Sequence, residues 1–98
     1  MSLPVVFHTS VQGEVENAFE WYEQQRPGLG HDFLAAVEDV YARIAAMPTA
    51  HQVVYKDVRR DLTRRFPYGV FYRVHADRIE VVAVYHSSRD PAGWKSRV

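Results

Sequence analysis

At Pro48 the hydrophobic period of the chain changes from that of a helix to that of a strand, dividing the sequence into a helical half and a sheet half. Before it, Val11, Val15, Ala18, Phe19 and Tyr22 recur at helical spacing, and Phe33, Leu34, Val37, Val40, Tyr41 and Ile44 do so again. Pro27-Gly28-Leu29-Gly30 breaks the run between them, and so short a break makes the two helices an antiparallel hairpin. Thr9 with Gln12 resembles a capping box that opens the first helix, and Glu14, Glu16, Glu20 and Glu23 are expected toward water. Trp21 and Tyr22 are adjacent, roughly 100° apart on a helix, so one of them is expected to face a groove or a partner.

Pro4 to His8 suits a short strand. After Pro48 the alternation predicts three more strands, about Val58 to Phe66, Tyr68 to His75 and Arg78 to His86, with Asp77-Arg78 in the last turn. Alternation along the first of them would put Arg64 and Arg65 on opposite faces. The last strand is apolar on both parities (Ile79, Val81 and Ala83, but also Val82 and Val84), as in a central strand covered on one face by the helices and partly covered on the other. The order β-α-α-β-β-β describes an α+β fold with a helical hairpin packed on a mostly antiparallel sheet, one domain over residues 1–98.

The formal charge is zero, but residues 1–50 hold seven acids and two bases, a net −5, while residues 51–98 hold ten bases and five acids, a net +5. Ten of the twelve bases are arginine, whose planar guanidinium matches phosphate and carboxylate. The sheet half is therefore expected to meet a nucleic acid or an acidic partner; a solvated face with local ion pairs is the alternative. The chain has no cysteine, which removes disulfides, thiolate metal sites and thiol nucleophiles and fits a reducing compartment. The absence of a membrane-length apolar run or a signal-peptide pattern makes the cytoplasm the expected location. His8, His31, His51, His75 and His86 show no metal-ligand spacing, and Gly28 and Gly30 do not form a phosphate loop, so neither a metal nor a nucleotide cofactor is expected.

Several short pieces, in this order, carry a resemblance: Trp21-Tyr22-Glu23 before Pro27-Gly28-Leu29-Gly30, Val58-Arg59-Arg60, Arg65-Phe66-Pro67-Tyr68, Phe71-Tyr72-Arg73, then His86, Arg89-Asp90-Pro91 and Trp94. Across nearly its whole length the chain resembles the RelE/ParE superfamily of toxins from bacterial type II toxin–antitoxin modules, in its ParE-like "plasmid stabilisation" branch. The resemblance implies a growth-inhibiting toxin silenced by a small antitoxin whose tail wraps it, forming a toxin–antitoxin hetero-oligomer. ParE-like members inhibit DNA gyrase without covalent chemistry; RelE-like members cleave messenger RNA in the ribosomal decoding site.

RNA cleavage by a ribose 2′-hydroxyl needs a base, a cation at the transition state and an acid for the leaving oxygen. His86, Arg65 and Arg89 are the candidates for those roles. His86 stands where some ribosome-dependent relatives carry a histidine; otherwise it is a strand-terminal imidazole bonded to the backbone. Arg89 can also tie the C-terminal turn to the sheet, with Trp94 packed beneath. The resemblance also marks departures, since Gly69 stands where ribonuclease members usually carry arginine, and Ser87 and Ser88 where a further base is expected. Trp21, Arg60, Arg64, Arg73 and Trp94 are the candidates for contact with target or antitoxin. Inhibition of gyrase is the favoured expectation; a ribosome-dependent endoribonuclease, or a decayed toxin that only binds antitoxin, is the alternative.

Overall fold

The computed structural model describes residues 2–98. Its elements are β1 (Val5–Phe7), α1 (Ser10–Gln25), α2 (Leu29–Ala46), β2 (Val53–Tyr55), β3 (Val58–Leu62), β4 (Tyr68–Val74), β5 (Ile79–His86) and a short α3 (Ala92–Lys95). The α+β architecture is as expected, with one strand and one helix more than the pattern predicted.

The two long helices form the hairpin because the break between them satisfies itself. Gly28 adopts φ 89°, a left-handed conformation that glycine takes without strain, and turns the chain into α2. Two residues on, Gly30 lets the helices touch: a Cβ there would lie 2.6 Å from the Phe19 carbonyl oxygen. The Gly30 N–H donates to Glu23 Oε1 at 2.8 Å, tying the start of α2 to the end of α1. At the other end of α1, Thr9 makes no capping hydrogen bond. His8 takes that role, its Nδ1 accepting the Ser10 N–H at 3.1 Å and its carbonyl the Val11 N–H at 3.0 Å.

The sheet runs β1-β5-β4-β3-β2. Only β1 lies parallel to its neighbour, β5; the other pairs are antiparallel. The unforeseen β2 exists because Lys56, at φ 51°, opens a tight turn that folds Val53–Tyr55 back on β3. β3 ends at Leu62 rather than Phe66, because the buried Thr63 stops it. Its N–H donates to the Tyr68 carbonyl and its hydroxyl lies 2.9 Å from the Phe66 carbonyl, closing a loop in which Arg65 takes φ 72°. Arg64 and Arg65 therefore belong to a turn, and strand alternation does not govern them.

β5 is buried on both faces, and a bulge explains why its apolar residues occupy both parities. Tyr72 pairs with Val81 and Phe71 with Ala83, leaving Val82 as the extra residue. On the helical side Val70, Tyr72, Ile79, Val81 and Val84 join Val37, Val40, Ile44 and Phe33 in the main core. On the far side Val58, Val82, Ala83, Tyr85 and Trp94 form a second, smaller core roofed by α3. Glu14 departs from the expectation of a solvated helix face. Its Oε1 accepts the Val84 N–H at 3.0 Å and its Oε2 pairs with Arg97 at 2.6 Å, alongside β5 where the short β1 has ended.

Candidate functional site

The register of three strands builds a surface on the face of the sheet away from the helical hairpin. Arg60 pairs with Phe71, which pairs with Ala83; one rung further, Leu62 pairs with Gly69, which pairs with Tyr85. Residues directly opposite one another in a sheet share a face. Arg60, Leu62, Gly69, Phe71 and Tyr85 therefore form one floor, and the segment after β5 brings Arg89, Pro91, Trp94 and Lys95 over its edge. The result is a groove of about 280 Å³, walled at one end by His86 and Ser87.

Gly69 keeps that floor low. A Cβ there would meet the Phe71 ring at 3.1 Å and the Arg60 side chain at 3.4 Å. The aliphatic stem of Arg60 thus lies beside Gly69. Trp94 supports the groove from within: it is 3% exposed and stacks on Phe71 with ring centres 4.4 Å apart, while Tyr55 meets its edge. Arg89 lays its guanidinium over the Tyr85 ring at 4.2 Å.

His86 sits at the corner where this groove meets a second hollow formed with Trp21, Tyr22, Pro67, Tyr68, Ser88 and Arg89. It pairs across the sheet with Tyr68, and the two rings meet edge to face at 5.2 Å. The Ser88 N–H donates to His86 Nδ1 at 3.0 Å, and the Ser88 hydroxyl lies 2.8 Å from the same nitrogen. A nitrogen that accepts a backbone N–H is unprotonated, so the neutral ring carries its proton on Nε2. The Arg89 N–H, in turn, donates to the His86 carbonyl at 3.2 Å.

The structure thus brings His86 and Arg89 together with Trp21 in one hollow and with Arg60 and Trp94 in the other. Trp21 is 57% exposed beside a buried Tyr22, so it is the member of that pair turned outward. Arg64 and Arg65 lie elsewhere, against Asp32 and Asp39 of α2, with Arg65 Nη2 3.6 Å from Asp32 Oδ2. Arg73 is held by Asp57 at 3.1 Å, and its guanidinium holds that carboxyl below the usual range. Lys95 escaped the sequence reading because α3 did; Asp90, whose Oδ1 accepts the Ala92 N–H at 3.0 Å, followed by Pro91, was the signal for that helix.

A family model described as "ParE toxin of type II toxin-antitoxin system, parDE" matches residues 5–91. The chain belongs to that family. Toxin ParE2 of Mycobacterium tuberculosis, in strains H37Rv and CDC 1551, is 29% identical over 92 residues, covering 93% of this chain and 88% of the relative. Among solved structures, a chain of a chromosomal ParDE toxin–antitoxin system from P. aeruginosa has the same fold, with a TM-score of 0.65 at 13% identity, covering 86% of this chain and 95% of the other. Membership in the ParE toxin family implies a cognate antitoxin as partner. Among the described residues no helix is long and apolar enough to cross a membrane.

Proposed function

We propose that this ParE-family toxin acts in the bacterial cytoplasm by binding and blocking DNA gyrase, without covalent chemistry, until its antitoxin silences it. The tautomer of His86 carries the reading. To accept a proton at Nε2 the ring would have to hold its other proton on Nδ1, where the Ser88 N–H already donates. The rest of a nuclease set is split, since Arg89 shares both hollows with His86 but Arg65 lines a different one, on the α2 side, and Gly69 contributes no side chain to the floor. A block by binding needs none of these groups. It needs a rigid surface with exposed anchors, and Trp21 beside Arg89 supplies one.

The test adds purified, antitoxin-free protein to gyrase acting on relaxed plasmid and, separately, to a bacterial cell-free translation reaction whose message ends are mapped by primer extension. The expected result is loss of supercoiling with the message intact. Ribosome-dependent cuts in the message would replace this reading with an endoribonuclease. Neither effect, from a folded chain that binds its antitoxin, would leave a chain that only binds antitoxin.

A further inference from the structure

Each edge of an open sheet leaves a line of backbone groups unpaired, and the two edges of this sheet are treated differently. β2 forms one edge with a register shift between Val53 and Tyr55 and with Lys56 directly after it, both of which discourage a further strand. β1 forms the other edge with neither. It pairs with β5 in unbroken register, Val5 with Ile79, Val6 with Glu80 and Phe7 with Val81, and none of its side chains is charged. Just past β1 the same edge of β5 is covered by Glu14 and Arg97, so the open line is β1 itself. The His8 N–H donates to the Val81 carbonyl at 2.8 Å and the Ile79 N–H to the Pro4 carbonyl at 2.9 Å, which places the backbone groups of residues 4, 6 and 8 toward β5. Alternation turns the N–H and C=O of Val5 and Phe7 outward, and no hydrogen bond among the described residues uses them.

In an antiparallel ladder a hydrogen-bonded pair of residues exchanges both of its bonds. Two β1 strands satisfy that pattern about a two-fold axis beside Val6. Val5 of each copy then exchanges N–H and C=O with Phe7 of the other, and every outward group of both edges is used. Val6 faces its own counterpart across the axis, a β-branched cross-strand pair of the kind that stabilises sheets. The side chains suit such a partner. Val6 and Phe7 are 39% and 49% exposed, so a lone chain leaves both in water. Phe7 meets Tyr41 edge to face at 5.1 Å, and the apolar surface continues past Val11 and Val15 in a hollow of about 400 Å³. The ends of the edge are complementary in charge as well. Arg78 precedes the residue that pairs with Val5, Glu16 lines the hollow beside Phe7, and antiparallel pairing sets one end against the other. We propose that the antitoxin-free chain forms a two-fold dimer through β1, joining two five-stranded sheets into one. The proposal does not depend on the gyrase reading.

The chain has no cysteine, so a single introduced thiol reports on a single position. Facing residues of a non-hydrogen-bonded pair have Cα atoms about 4.5 Å apart, within the span of a disulfide. Under mild oxidation Val6→Cys is expected to form a covalent dimer at least about tenfold faster than Val53→Cys, a similarly exposed position on the opposite edge. Sedimentation of the wild-type chain is expected to shift from monomer toward dimer mass between about 1 μM and about 1 mM, the range of a small transient interface. Val6→Lys keeps a partner in Glu80 of its own sheet but sets like charges opposite each other across the axis, and it is expected to stay monomeric throughout. Circular dichroism verifies that each variant is folded. Amide exchange at Phe7 of the wild-type chain, expected to slow as concentration rises, reads the same pairing without a substitution. A wild-type monomer at every concentration would overturn the proposal. So would Val6→Cys cross-linking no faster than Val53→Cys, a Val6→Lys variant that dimerised like the wild type, or Phe7 exchange independent of concentration. Each of these would leave the toxin reading standing.

Discussion

Glu14, in the second turn of α1, accepts the backbone N–H of Val84 in β5 at 3.0 Å while its other oxygen holds Arg97. The Arg97 guanidinium also donates to the Val82 carbonyl at 3.0 Å, so the pair closes the β5 edge around the bulge with side chains in place of a neighbouring strand. Both side chains are nearly buried, at 10% and 14% exposure. Removing one partner of such a pair leaves the other charge stranded. Glu14→Ala is expected to cost about 3 kcal/mol in urea unfolding, and Arg97→Ala a comparable amount. The double variant is expected to be much better than the sum of the two, and strict additivity would refute the coupling.

The two tryptophans are expected to behave oppositely. Trp94→Ala opens a cavity beneath Phe71 and Tyr55 and should destabilise the fold by about 3–5 kcal/mol. Trp21→Ala removes an exposed ring in edge contact with Tyr22 and should cost about 1 kcal/mol or less. Gyrase inhibition by the folded Trp21 variant is the discriminating readout, and an undiminished effect would take Trp21 out of the binding surface.

His86→Gln separates binding from catalysis. An essential acid or base contributes about 10²- to 10⁴-fold to a rate, so a nuclease would lose activity on that scale. The expected outcome is retention of growth inhibition within a small factor, measured as colony formation under controlled expression. Loss of toxicity with antitoxin binding intact would restore His86 to a chemical role.

Gly30 is the point of closest approach in the helical hairpin. A methyl group there meets the Phe19 carbonyl oxygen and the Glu23 side chain at 2.6 Å, and neither backbone nor neighbouring turn can yield without parting the helices. Gly30→Ala should therefore destabilise the protein by about 1–3 kcal/mol, against the usual gain of alanine over glycine in a helix. Thermal melts would show it; a rise in Tm would mean that the helices separate readily.

Alkaline unfolding should expose the buried phenol of Tyr72 and the partly buried one of Tyr41. Burial pushes both Tyr41 and Tyr72 from 10.0 up to about 12, so the folded chain holds protons that the unfolded chain releases. Their contribution to stability is complete below pH 10 and is lost as pH rises from there through about 12. Tyr72→Phe removes its share of that slope, along with the hydrogen bond from its hydroxyl to the Pro48 carbonyl. Urea midpoints measured across that window should fall less steeply in the variant.

Much of the fold was readable because it rests on local rules. The helical runs ending at Tyr22 and Ile44 and the Asp77-Arg78 turn declare themselves through spacing and backbone preference, and the structure has them where expected; the break expected over Pro27-Gly28-Leu29-Gly30 is shorter, since Leu29 and Gly30 already belong to α2. β2 was not readable, because three residues carry too little alternation and their turn uses Lys56 at a positive φ where glycine or asparagine would have signalled it. The early end of β3 depends on Thr63 reaching carbonyls across a loop, which no periodicity records.

Spacing, charge and short motifs were enough to determine the α+β order, the acidic helical half, the basic sheet half and the likeness to the ParE toxins. Tertiary structure alone decided which basic residues are free. Arg65 and Arg73 look as available as Arg60 in the sequence, yet carboxylates brought near by folding occupy the first two and none reaches the third. The tautomer of His86 was decided the same way, by a Ser88 N–H that points at Nδ1 only once the chain turns after β5. Ion pairing and hydrogen bonding depend on distances in space, and a linear order of residues does not contain them.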